Sequence, residues 1–78
     1  MKNLLDFLVK NITGIENYSI EEETEDSFTR YIVKTQPDDA GLVIGKRGKT
    51  VKTIRNLLKV RATLENRGVA ISVEGKEE

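Results

Sequence analysis

The 78-residue sequence predicts one small α+β domain in the order helix, strand, strand, helix, helix, strand. Three observations carry that prediction. Apolar residues recur at helical spacing near the N-terminus and again from about 48 to 65. Runs rich in aromatic and β-branched residues at 18–22, 28–34 and 69–73 read as strands. Pro37 followed by Asp38 and Asp39 opens a further short helix. A chain this short buries only about 60% of its unfolded surface, so it has little core to spare.

In the first helix, Leu4, Leu5, Leu8, Val9 and Ile12 form the apolar stripe, with Asn3 as N-cap and Gly14 as the stop. This helix covers the core and carries no chemistry of its own. Residues 23–27 are polar and turn-like, so the first two strands form an antiparallel hairpin. On the second strand Phe28, Arg30, Ile32 and Lys34 share one face, and Thr29, Tyr31, Val33 and Thr35 the other. Tyr31 and Val33, with Tyr18 and Ile20, are expected to pack on the helices, although Phe28 and Ile32 break the alternation. The Pro37 helix runs to about Ile44. Its adjacent aspartates suit a helix start, and no nucleophile or orienting partner beside them suggests acid–base catalysis.

The third helix, about 48–65, is the longest. Val51, Ile54, Leu58 and Ala62 line its core stripe. Lys52, Arg55 and Lys59 fall on a separate stripe, which reads equally as a solubilising face or as an extension of the basic residues before it. Leu57, Val60 and Leu64 widen the apolar arc beyond what one sheet contact needs, which marks a partner interface. Asn66-Arg67-Gly68 is a tight exit, with Gly68 as the helix stop. Val69, Ile71 and Val73 alternate with Ala70 and Ser72, and 75–78 form a polar tail.

Composition excludes several function classes. With no Cys and no His, disulfides, cysteine-ligated metal and His-based triads are out. The acidic run at 21–26 lacks calcium-loop spacing and reads as a solvated hairpin tip. No run approaches the roughly 20 apolar residues that span a bilayer, and the N-terminal ten lack a signal-peptide pattern. The chain therefore reads as a soluble cytoplasmic protein without metal, cofactor or small-molecule substrate. Net charge is zero, but it is segregated: residues 42–67 carry a net +7 and residues 16–41 a net −6. Such a dipole holds a polyanion on one side and repels it from the other.

The motif lies on the basic side. Val43-Ile44-Gly45-Lys46-Arg47-Gly48-Lys49-Thr50-Val51 places two glycines around Lys46 and Arg47, directly before the long helix. Glycine lets the backbone come close to a bulky anion, and the helix N-terminus adds partial positive charge at the same spot. Gly48-Lys49-Thr50 also matches the tail of a Walker A loop. That motif needs Gly where Val43 stands and a buried strand where Pro37 breaks one, so a nucleotide-handling enzyme is the weaker reading. Taken alone, G-x-x-G also fits a solvated turn between two helices.

With Val43 and Ile44 before it and Val51 and Ile54 after it, the loop resembles the GXXG region of KH domains, and the whole chain resembles the bacterial single-domain KH proteins. That resemblance implies the type II KH fold, a two-layer arrangement of three helices on a three-stranded mixed sheet, the last strand parallel to the second. The two helices between them supply the crossover that parallel pairing requires. It implies no enzyme, but a module clamping about four nucleotides of single-stranded RNA. Gly45, Lys46, Arg47, Gly48 and Lys49 would hold phosphates, with Lys52 and Arg55 beside them. Gly41, Leu42, Ile44 and Val51 would floor a groove for bases, and Ile71 would stand in its far wall. No aromatic lies in that groove, so stacking is weak and sequence preference modest. The resemblance further implies a post-transcriptional regulator or RNA chaperone, working as a homodimer or with a larger KH-containing partner. An adaptor that docks proteins through Leu57, Val60 and Leu64 is the alternative.

Overall fold

The structure, a computed structural model, describes residues 1–75. Its elements are α1 (Lys2–Thr13), β1 (Tyr18–Glu25), β2 (Phe28–Thr35), α2 (Pro37–Ile44), α3 (Lys49–Leu64) and β3 (Gly68–Gly75), with a 3-10 turn at Lys46–Gly48. The sheet order is β1-β2-β3. β1 pairs antiparallel with β2, Ile20 opposite Val33, and β2 pairs parallel with β3, Tyr31 beside Ile71. This is the expected α-β-β-α-α-β order on a mixed sheet, consistent with the type II KH arrangement.

The helices cover one face of the sheet. Alternation along β2 decides which: Thr29, Tyr31, Val33 and Thr35 are buried there, whereas Phe28 and Arg30 are exposed on the opposite face. Leu5, Leu8 and Val9 of α1, Ile15, Val43 of α2, and Ile54 and Leu58 of α3 complete the core. Tyr18, Ile20, Val69, Ile71 and Val73 pack against its rim. Phe28 keeps to that alternation, and an aromatic ring stands on the exposed face for a local reason. It pairs across the sheet with Gly68, where an added Cβ would lie 2.8 Å from the Phe28 ring, so the ring occupies the space above the glycine.

Several details differ from the sequence reading. Met1, not Asn3, caps α1, which starts at Lys2 with no side-chain cap. Ile12, expected on the core stripe, is 43% exposed in the last turn of α1, past the buried Leu5, Leu8 and Val9. β1 extends to Glu25, so the expected 23–27 turn shrinks to Asp26 and Ser27; cross-strand pairing outweighs the low strand propensity of the glutamates. At the end of α3, Asn66 and not Gly68 makes the stop. Asn66 takes φ 57, its N–H donates to Thr63 O (3.1 Å), and the Arg67 N–H reaches back to Ala62 O (2.8 Å). That is a Schellman closure with Asn in the left-handed position. The polar tail also starts later: Gly75 ends β3, and 76–78 lie outside the described residues.

Candidate functional site

Loop 45–48 connects the end of α2 to the start of α3, and its shape follows from its two glycines. Gly45 has φ 77 and ψ 173, a conformation essentially restricted to glycine. A Cβ there would sit 2.2 Å from Thr50 Oγ1 and 2.8 Å from the Thr50 backbone nitrogen. Gly48 has φ 74 and ψ 15, the left-handed helical region, with open space around it. Arg47 between them is also left-handed, with φ 58 and ψ 27. Backbone bonds close the loop: Gly45 N–H to Gly41 O at 2.8 Å and Gly48 N–H to Gly45 O at 3.1 Å.

The result is a tight projection. Lys46 and Arg47 are exposed at its tip, and Lys49 is exposed as the first residue of α3. No side chain caps α3, so the positive end of its dipole faces the loop. Beside it, Leu42 is 54% and Ile44 39% exposed, and Gly41 has nothing within 4 Å of a built Cβ. Val43 between them is buried, so α2 anchors through one residue and turns its neighbours outward. Val51 is half-buried at the first turn of α3.

β3 runs beside both helices. Its C-terminal end meets the start of α2, where a Cβ on Gly75 would lie 2.8 Å from the Ala40 Cβ. Ile71, at mid-strand, is half-buried and packs against the core from the sheet's helix-covered face. Gly41, Leu42, Ile44, Gly45, Lys46, Arg47, Gly48, Lys49 and Val51 thus lie in one stretch at the α2–α3 junction, whereas Ile71 lies on β3 beside Tyr31. Lys52 and Arg55 are exposed further along α3. Leu57, Val60 and Leu64 are 45%, 63% and 77% exposed on another side of the same helix.

Thr50 is the residue that the sequence reading missed. Its side chain and backbone wall in Gly45, and no local pattern announces that contact. Two other polar links are structural. Arg67 Nη2 donates to the buried Thr29 Oγ1 at 2.9 Å, tying the exit from α3 to β2 across 38 residues of sequence. The Tyr18 hydroxyl donates to the Asp6 carboxylate. That bond holds the Asp6 carboxyl below the usual aspartate range, and burial followed by the same carboxylate pushes the Tyr18 phenol up. No group of three or more metal-ligating side chains occurs among the described residues. No helix among them is long and apolar enough to cross a membrane.

Comparison with known proteins shows the family of the chain. The family model described as KhpA/KhpB, KH domain matches residues 2–73. The RNA-binding protein KhpA of Clostridium acetobutylicum is 32% identical over 74 aligned positions, covering 94% of this chain and 99% of the relative. The RNA-binding protein KhpA of Chlamydia trachomatis is 35% identical over 79 aligned positions, covering 100% and 99%. Both relatives are named for binding and neither for a reaction. The match spans nearly the whole chain and nearly the whole of both relatives, and the chain belongs to the KhpA/KhpB KH-domain family.

Proposed function

We propose that this protein binds single-stranded RNA and is not an enzyme, its 45–48 loop clamping about four nucleotides. The observation that carries the reading is the loop itself. A glycine-only turn walled by Thr50 projects two exposed cations at an uncapped helix start. Lys46, Arg47 and Lys49 neutralise phosphates, while Gly45 and Gly48 allow the ribose-phosphate chain to approach the backbone. Bases lie over Gly41, Leu42, Ile44 and Val51, with β3 around Ile71 as the far wall. The names of the relatives support RNA as the ligand.

Backbone clamping without aromatic stacking gives weak, permissive binding. Such a module gains from doubling, because a second linked site acts at high effective concentration. Leu57, Val60 and Leu64 offer the surface for a homodimer or for a heterodimer with a KhpB-type protein. A permissive binder of this size, with no cofactor, suits a cytoplasmic post-transcriptional regulator or RNA chaperone.

Replacing Lys46 and Arg47 by Asp tests the clamp. Both side chains are exposed, and Asp tolerates the left-handed backbone at 47 better than Arg does. The fold should persist by circular dichroism while binding to a short unstructured RNA disappears. Unchanged affinity in the double variant would reject the loop as the site. Retained docking to a protein partner, with no RNA bound by the wild type, would favour the adaptor reading.

A further inference from the structure

The basic residues of segment 42–67 divide into two groups. Arg61 donates to Glu65 at 2.8 Å, and Arg67 is engaged by Thr29. The other six, Lys46, Arg47, Lys49, Lys52, Arg55 and Lys59, are exposed, and none has a carboxylate within 4 Å among the described residues. The six run without interruption from the loop along α3. The two engaged ones lie at or just past the far end of the helix.

A face that only solubilises a helix carries mixed charges that pair. This chain pairs its charges elsewhere: Asp6 with Lys10 on α1, and Glu21 with Lys34 across the hairpin. On α3 no acid occurs between Lys49 and Leu64. Lys52, Arg55 and Lys59 follow at spacings of three and four, where like charges destabilise a helix. The track also has an end. Beyond Lys59, Arg61 is neutralised, and the Gly68 N–H donates to Ser27 O at 2.8 Å. That bond sets the acidic hairpin tip, with Glu25 and Asp26, against the exit from α3.

We infer that Lys52, Arg55 and Lys59 form a second, sequence-blind segment of the RNA site. This inference rests on the clamp reading above. The phosphate backbone leaving the loop follows α3 from Lys49 to Lys59, a distance of about 15 Å, with one phosphate held by each of the three cations. The footprint therefore exceeds the four clamped nucleotides, and the added nucleotides are held by charge with their bases unread. The acidic hairpin tip repels the chain where the track stops.

The test uses unstructured four- and eight-nucleotide RNAs, titrated at several salt concentrations. The proteins are wild type, the triple variant Lys52→Ala/Arg55→Ala/Lys59→Ala and the double variant Lys46→Asp/Arg47→Asp. Alanine favours the helix, so the triple variant should fold, and circular dichroism checks it. The triple variant should lose less affinity on the four-mer than on the eight-mer, because the loop cations remain to hold the shorter RNA. On the eight-mer its slope of log affinity against log salt should be flatter by about two units. The wild-type advantage on the eight-mer should accordingly shrink about 20-fold between 50 and 200 mM salt. Extra registers on the longer RNA help all the proteins alike. An equal slope and equal eight-mer affinity in the triple variant would overturn the track, leave the clamp intact, and assign the stripe to solvent or an acidic protein. Undiminished binding by the double variant, or no binding by the wild type, would overturn the clamp reading and the track with it.

Discussion

Gly45 and Gly48 are interchangeable in the motif but not in the structure. Gly45 combines a glycine-only conformation with a wall formed by Thr50, part of which is backbone and cannot rotate away. Gly48 has only the left-handed conformation to tolerate. Gly48→Ala should therefore lower stability by about 1–2 kcal/mol, and Gly48→Asn by less. Gly45→Ala adds the clash and should lower it by about 3 kcal/mol or more. Urea unfolding of the three variants checks this ranking, and an equal loss for both alanines would show that the Thr50 wall yields. The Asp6–Tyr18 bond makes a pH prediction at the same scale. The folded Asp6 pKa lies below its ordinary 3.8, so the carboxylate stabilises the fold above that pH, and the contribution fades as pH falls through the folded value. The folded Tyr18 pKa lies above its ordinary 10.0, so the phenol stabilises the fold below that pH, and this contribution fades as pH rises through the folded value. Tyr18→Phe should lower the urea midpoint at pH 7 and lose that difference toward pH 2. A pH-independent difference would mean that the ring's packing, and not the hydrogen bond, is what the hydroxyl supports.

Among the elements, α3 is the longest and its two ends are built differently. Its start is left uncapped beside the loop, whereas its end is closed by Asn66 and the backs of Asn66 and Arg67. Asn66→Gly should raise stability by up to about 1 kcal/mol, since glycine takes the left-handed position freely. Asn66→Val should lower it by about 1–2 kcal/mol. Thermal unfolding separates the two, and a stabilising valine would contradict the closure. Between its ends the helix is divided by periodicity. Ile54, Leu58 and Ala62 are buried, the cations occupy one flank, and Leu57, Val60 and Leu64 occupy another. One helix thus presents a core face, a cationic face and an apolar face without any of them overlapping.

For the whole molecule, the segregated charge and the exposed apolar flank of α3 have separate consequences. Val60 is 63% exposed, so Val60→Glu should change the stability of the single chain by no more than about 0.5 kcal/mol. It should nevertheless shift the protein toward monomer and weaken RNA binding indirectly, through loss of the second site. Sedimentation equilibrium of wild type and variant measures this. A wild type that stays monomeric at high concentration would remove self-association from the proposed function. Because net charge is zero, affinity should follow the local field of the loop and α3 and not the charge of the whole protein.

Periodicity and local chemistry by themselves determined much of this protein. The stripe of Ile54, Leu58 and Ala62 and the alternation of Tyr31 and Val33 state which sides face the core, because side-chain direction follows from secondary structure alone. The two glycines around Lys46 and Arg47 state that a backbone turn is needed there. The parallel pairing of β3 with β2 was legible only through family resemblance, since a crossover permits it without requiring it. Tertiary structure decided the rest. The span of β1 depends on its partner strand, the stop of α3 falls to Asn66 because Asn66 takes the left-handed position while Gly68 already begins β3, and Gly45 meets Thr50 only once the loop is closed. It also decided how the cations are engaged. Arg67 is taken by a threonine 38 positions away, while among the described residues no carboxylate lies within 4 Å of Lys52, Arg55 or Lys59. Charge is written in the sequence, but its neutralisation depends on distance in space, and that exists only in the folded chain.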